Sequence, residues 1–467
     1  MPEVRLPQLP IGFSSWSEIR ANDFFFVDKT AKLADLVWNQ RKVFFARPNG
    51  MGKTLLCSML KELFAHGTQN FEGTAIYDEW PEAQCYPVIS LNLSEIFSDN
   101  FELALKHALV AAFVEAGFKQ AQSVAFTLEL NAFLHHLDHL ARDQQLVFLI
   151  DDWDSPLTRA LENDDRDQGR AAFNQAVDTM RVLFSWLNHR TCSRFIFITG
   201  VMRFRDDLFF IDAGFTDLSM APGYADLIGF TPKEVEVYYS RYYERAAQVL
   251  DTFPFFLLDQ LKQNYGGYCF DYEAQTELYN PLALNEFFAT VSVTKPNHSI
   301  FDSYWMASCQ APRRLHDYLQ RRKPSAAQVA QLCTCELELE PSDFIAPTDF
   351  DSITLRQILV QSGLWSIKPR DKEQDYLATS SLSGGITNFD VARHYIPILT
   401  GYLLNIDANT AKCSMFRAQR AIHEGNIALT CIHLNELLCR LPPSAVSSDT
   451  AQTYYNLLSL WLQGGTV

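Results

Sequence analysis

Neither a zinc ribbon nor a disulfide framework is written into this chain. Its ten cysteines never form a C-x₂-C pair, and the closest two, Cys333 and Cys335, are a C-x-C, so they read as reduced core thiols. Also missing is any run approaching the ~18 apolar residues that span a bilayer. Met1 is followed by Pro2, Glu3 and Arg5 rather than by an apolar stretch, so no secretory signal is visible. Cytoplasmic residence is the expectation, with delivery into another cell by a non-classical route left open. Positive charge is scarce: 39 Lys and Arg against 55 Asp and Glu give a net charge of −16 and a pI near 5.1. Such a field repels nucleic acid and anionic membranes, so nucleic acid is disfavoured as a partner and any phosphate site must be local.

What is present is an ordinary globular composition, 48% hydrophobic with 35 Phe among 467 residues, long enough for several domains. Residues 43–46 (VFFA), 88–93 (VISLNL), 146–150 (LVFLI) and 195–199 (FIFIT) are short apolar runs suited to strands covered on both faces. Helical patterns at 53–65, 101–116 and 170–188 lie between them, which predicts an α/β fold with a parallel sheet over residues 1–230. After Gly229 the pattern turns helical, opening with Thr231, Pro232 and Glu234 as a capping box, and 231–345 is expected to be a helical lid. The prolines of PSDFIAPTDF at 341–350 mark a boundary. Beyond it, 346–405 combines a helix at 353–361 with LWSIKP at 364–369 and YLATSS at 376–381, either a winged-helix-like unit or a generic α+β cap. Residues 406–467 read as closing helices.

The segment Arg47-Pro48-Asn49-Gly50-Met51-Gly52-Lys53-Thr54 follows an apolar strand and precedes an amphipathic helix. That is the setting of a P-loop, in which backbone N–H groups and a helix N-terminus surround phosphates, a lysine supplies a cation and a hydroxyl meets Mg²⁺. Lys53 and Thr54 fit the last two roles, with Arg47, Asn49, Gly50, Met51, Gly52 and Leu55 forming the rest of the binding loop for ATP. The leading glycine of the motif is replaced by Arg47, tolerable where φ is negative, and Pro48 favours that. A second buried strand ends in carboxylates, LVFLIDDWD at 146–154, which assigns Asp151 to Mg²⁺ and Asp152 to positioning an attacking water. A third, FIFIT, ends in Thr199, placed to sense the γ-phosphate.

Together these residues resemble the bacterial AAA-ATPase-like proteins, which often carry a C-terminal PD-(D/E)XK nuclease-like domain. The resemblance runs through LPIGFSSWSEIR at 9–20, FFFVDKT at 24–30, RPNGMGKTLL at 47–56, LIDDWDSPL at 149–157, ITGVMRF at 198–204, FTDLSMAPGYADLIGFTPKEV at 215–235, NYGGYCF at 264–270 and LYNPLALNEFF at 278–288. It implies an ASCE-type P-loop core with sheet order 5-1-4-3-2, followed by the lid and winged-helix-like unit. It also implies Arg-Pro at the head of the loop, Asp28 and Lys29 near the nucleotide, and Arg203 as a phosphate sensor or finger. Where the family has Asp-Glu, this chain has Asp151-Asp152, one methylene shorter, which weakens hydrolysis more than binding. No Asp or Glu is followed two positions later by Lys, so a working nuclease site is not expected.

Three further clusters invite chemistry. His135, His139 and Asp138 in FLHHLDHL share a helix but lack the glutamate of H-E-x-x-H, and favour a polar face over a metal site. ENDDRDQ at 162–168 lacks the ordered glycine and closing glutamate of a calcium loop, and NYGGYCFDY at 264–272 suits packing better than base stacking. The leading functional expectation is a slow ATPase or an ATP-dependent switch acting on a protein partner, in which nucleotide closes the lid over the P-loop domain. The alternatives are a remodelling ATPase assembled as an oligomer with Arg203 acting across an interface, a phosphoryl or nucleotidyl transferase, and a pseudo-enzyme scaffold.

Overall fold

A computed structural model of the chain describes residues 6–142, 144–190, 192–205, 214–293, 301–308, 311–369, 382–446 and 450–464. The chain folds as two compact units, one of Met1–Gly229 with Phe344–Gln357, the other of Phe230–Asp343 with Ile358–Val467.

The first unit is built on β1 (Lys42–Ala46), β2 (Val88–Asn92), β3 (Leu146–Asp151), β4 (Ser193–Gly200) and β6 (Thr216–Asp217), while β5 (Phe204–Arg205) stands apart from the sheet. These form one sheet in the order β2-β3-β4-β1-β6 with every pairing parallel. Counting this sheet's strands alone, that is the expected 5-1-4-3-2. All six residues of β3 are buried, as a strand covered on both faces requires. Register fixes what meets at the carboxyl edge: Asn92 lies opposite Asp151, Phe45 opposite Thr199 and Ala46 opposite Gly200. Helix Lys53–His66 follows β1 and buries Leu56, Leu60, Leu63 and Phe64. The proline-containing stretch after residue 341 brings the chain back into this unit, where Ala346–Pro347 pairs in parallel with β5 and Phe350 packs edge-on against Phe173.

The second unit is mainly helical. Thr231 and Glu234 close the expected capping box, and the helical stretch it opens comprises Pro232–Tyr238 and Ser240–Leu250. Tyr239, at the break, is fully buried against Phe288 and donates to Asn285. Helix Leu355–Gln361 precedes a three-stranded antiparallel sheet with the order Trp365–Ile367, Leu382–Ile386, Glu336–Leu339. The expected hairpin strand at 376–381 lies outside the described residues; the partner of Trp365–Ile367 is Leu382–Ile386. In NYGGYCFDY, Tyr265, Tyr268 and Asp271 are buried, and a Cβ on Gly267 would come within 2.3 Å of the Thr387 carbonyl oxygen.

Candidate functional site

The loop after β1 turns on two glycines in the left-handed region, Gly50 at φ +79° and Gly52 at φ +105°. A Cβ on Gly52 would meet nothing nearer than Ile228 at 4.0 Å, so conformation rather than space demands glycine there. Met51 is buried, and its carbonyl accepts from the Gly229 N–H at 3.1 Å. Lys53 is only 5% exposed; its ammonium donates to the Pro48 carbonyl and to Asn49 Oδ1, each at 3.3 Å. Thr54 is exposed in the first helical turn and Leu55 half-buried behind it. The helix N-terminus therefore opens into the loop with a cation and a hydroxyl beside it, an arrangement that attracts phosphate.

Asp151 closes β3 at 4% exposure, with Oδ1 accepting its neighbour's N–H at 2.9 Å and Oδ2 lacking any hydrogen-bond partner. Burial, then repulsion from Asp152, pushes its carboxyl up to about 6, against the pull of Lys53 and the Thr54 hydroxyl. Asp152 is half-buried and adopts φ +47°, a left-handed conformation that Asp tolerates better than most residues. Thr199 is fully buried with its hydroxyl unpartnered. Asp151 and Thr199 thus bring buried, unsatisfied oxygens to the strand ends, and Thr54 interacts with the Asp151 carboxylate. An all-oxygen set of this kind fits Mg²⁺.

Asp154, two residues past the paired carboxylates, fastens this edge together. At 2% exposure its two oxygens accept the Val201 and Met202 N–H groups, each at 2.9 Å, while Trp153 Nε1 donates to the Met202 carbonyl at 3.1 Å. Gly200 is required by this closeness, since a Cβ would lie 2.2 Å from Asp154 Oδ1 and 2.5 Å from Trp153 Cδ1.

The remaining sequence candidates are engaged with main-chain and carboxylate partners of the fold. Arg47 is 1% exposed, donating to the carbonyls of Ala46 (2.9 Å), Ser219, Tyr224 (3.4 Å) and Ala225 (3.1 Å), with its guanidinium 4.3 Å from the centre of the Phe45 ring. Its cation fastens the fold and is not presented to phosphate. Asp28 accepts from the Thr30 N–H (2.9 Å), the Thr30 hydroxyl (2.7 Å) and the Ala75 N–H (2.8 Å), pinning the entry of the helix Ala31–Asn39. Lys29 reaches the Asp226 carbonyl at 2.9 Å, in the segment whose Gly229 bonds Met51. Arg203 is held by Asp217 on β6, Nε to Oδ2 at 2.9 Å, and by the Phe344 carbonyl at 3.3 Å. Sequence reasoning missed Asp154 and Ser219, whose hydroxyl accepts the Ala46 N–H at 2.9 Å. The third acid of D-D-W-D was the available sign of the first; nothing local marks the second.

Residues 10–210 match the model of a family described as a predicted AAA-ATPase. The chain is 25% identical over 368 residues to an "Uncharacterized protein in vnfD 5'region" of Azotobacter chroococcum mcd 1, a match spanning 77% of this chain and 64% of that relative. No solved structure matches it. With the loop, the strand order and the buried Asp151 in place, residues 10–210 are similar to the predicted AAA-ATPase family.

Proposed function

We propose that the protein binds ATP·Mg²⁺ in the Lys53–Thr54 loop and works as a slow ATPase or nucleotide-dependent switch on a protein partner, in the cytoplasm. The supporting observation is the pair of buried, unpartnered oxygens, Asp151 Oδ2 and Thr199 Oγ1, at the strand ends bordering a helix N-terminus. Lys53 exchanges its two loop acceptors for phosphate oxygens, and the loop's N–H groups orient the chain of phosphates. Thr54 and Asp151 hold the magnesium ion, whose contribution when bound is to offset phosphate charge. Asp152 orients water from a carboxylate shorter than Glu, which favours retention of nucleotide over rapid turnover.

The test compares thermal unfolding of the wild type and Lys53→Ala with and without ATP·Mg²⁺, with phosphate release measured on the same samples. At ~100 times the dissociation constant, ligand adds about 2.7 kcal/mol to the wild type. No gain in either protein refutes nucleotide binding by the isolated chain; a gain confined to the wild type without phosphate release selects the switch over the engine. Transfer of label from the γ- or α-phosphate to a protein or small molecule would select the transferase instead.

A further inference from the structure

At the opposite end of the sheet from the loop, where β3 and β4 begin, lies a cleft of about 320 Å³. Its walls carry His135, His139, His189, Arg142, Arg190 and Cys192. His135 and His139 stand one turn apart on helix Leu130–Leu140, and His189 ends helix Arg166–His189. The size suits a small organic ligand rather than a macromolecule. Among the described residues no three His, Cys, Asp or Glu side chains converge to hold a metal ion.

Charge in the cleft opposes the charge of the molecule. Among the described lining residues two guanidiniums accompany one carboxylate, Asp138, which pairs with Nη1 of Arg190. Arg190 is 7% exposed, yet its Nε has no hydrogen-bond partner. Trp186, whose ring lies 5.3 Å from that guanidinium, is 5% exposed and its Nε1 also lacks an acceptor. Buried N–H groups are nearly always paired, so the unpaired Nε of Arg190, which lines the cleft, points to an anionic ligand.

We propose that this cleft is a second binding site, for a small molecule bearing an oxyanion, held by Arg142 and the Nε edge of Arg190 with the histidines as further donors. It is independent of the nucleotide reading. The shared chemistry is that of a phosphate or a carboxylate, and the assay separates them. Full-length Lys53→Ala protein, which removes the loop cation, is alkylated with iodoacetamide in inorganic phosphate or in succinate. Labelling of Cys192 is followed by peptide mass spectrometry, with exposed Cys85, Cys413, Cys431 and Cys439 as internal controls.

The expected result is slowing of Cys192 alone, about tenfold at roughly ten times the dissociation constant. The anion that protects at lower concentration names the ligand class. Arg142→Gln, at an exposed position and checked by thermal melting, should abolish protection without loss of fold. The proposal is overturned by unchanged Cys192 labelling up to about 50 mM, where a site of ~1 mM is filled. Equal slowing of all five thiols, or protection that survives in Arg142→Gln, also overturns it.

Discussion

Replacing Asp154 should cost the first unit a large part of its stability although the residue lies outside the phosphate loop. The carboxylate is 2% exposed, and each oxygen takes one main-chain N–H at 2.9 Å, from Val201 and Met202. In Asp154→Asn the amide nitrogen turns against one of those donors, leaving it buried and unpaired, a loss of about 2–4 kcal/mol once the charge-assisted bond is included. Asp154→Ala removes both acceptors and should lose about 3–5 kcal/mol. For a unit of this size, 1 kcal/mol moves the melting temperature by roughly 2–4 °C, so Asn should lower it by about 4–16 °C in a tryptophan-fluorescence melt. Gly200→Ala presses a methyl against the same carboxylate, at 2.2 Å. Part of that clash should vanish in the Asp154→Ala, Gly200→Ala double variant, giving a non-additive cycle. A shift below ~2 °C in both Asp154 variants would refute the fastening role.

The other predictions concern the site directly. The Asp151 carboxyl titrates near 6 in the folded chain against 3.8 for the free group, so the native state holds its proton longer; stability should be full at acid pH and fall as pH rises through about 6. Asp151→Asn should flatten that fall, exceed wild type by about 2–3 kcal/mol at pH 8, and lose magnesium-dependent stabilisation by ATP; parallel melting curves across pH would reject the assignment. Thr199→Val, which removes a buried hydroxyl with no partner, should keep or raise stability while lowering phosphate release about tenfold, and unchanged release would remove Thr199 from the site. Gly52→Ala should lose about 1–2 kcal/mol through its φ of +105° and bind ATP more weakly, as read by calorimetry; wild-type affinity would show that the loop does not need that conformation.

The central sheet was legible because strands buried on both faces spell themselves as apolar runs. The expected 43–46, 88–93, 146–150 and 195–199 became Lys42–Ala46, Val88–Asn92, Leu146–Asp151 and Ser193–Gly200. β6 was not legible, being two exposed residues held in place by β1. The helical stretch after Gly229 was legible from its capping box, but its division into Pro232–Tyr238 and Ser240–Leu250, with Tyr239 buried between them, is announced by no local pattern. The places of Lys53 and Thr54 at a helix start, and of Asp151 and Thr199 at strand ends, were legible from the loop and the apolar runs. The positions of Arg47, Asp28 and Arg203 were not, because their partners lie far along the chain: Ser219 and Ala225 for Arg47, Ala75 for Asp28, and Phe344 for Arg203. A charged residue at a motif position gives the same one-letter signal whether it meets ligand or carbonyl.

The buried Arg47 has a consequence for binding kinetics and thermodynamics. A phosphate loop tethered through Arg47 to four main-chain carbonyls, and held by the Gly229 bond to Met51, already holds its course before any ligand arrives. Little loop entropy remains to be lost, so association should proceed in one fast phase, with an enthalpy dominated by the exchange of Lys53's two acceptors for phosphate. The cation that stands where a glycine usually would thus trades the loop's suppleness for readiness.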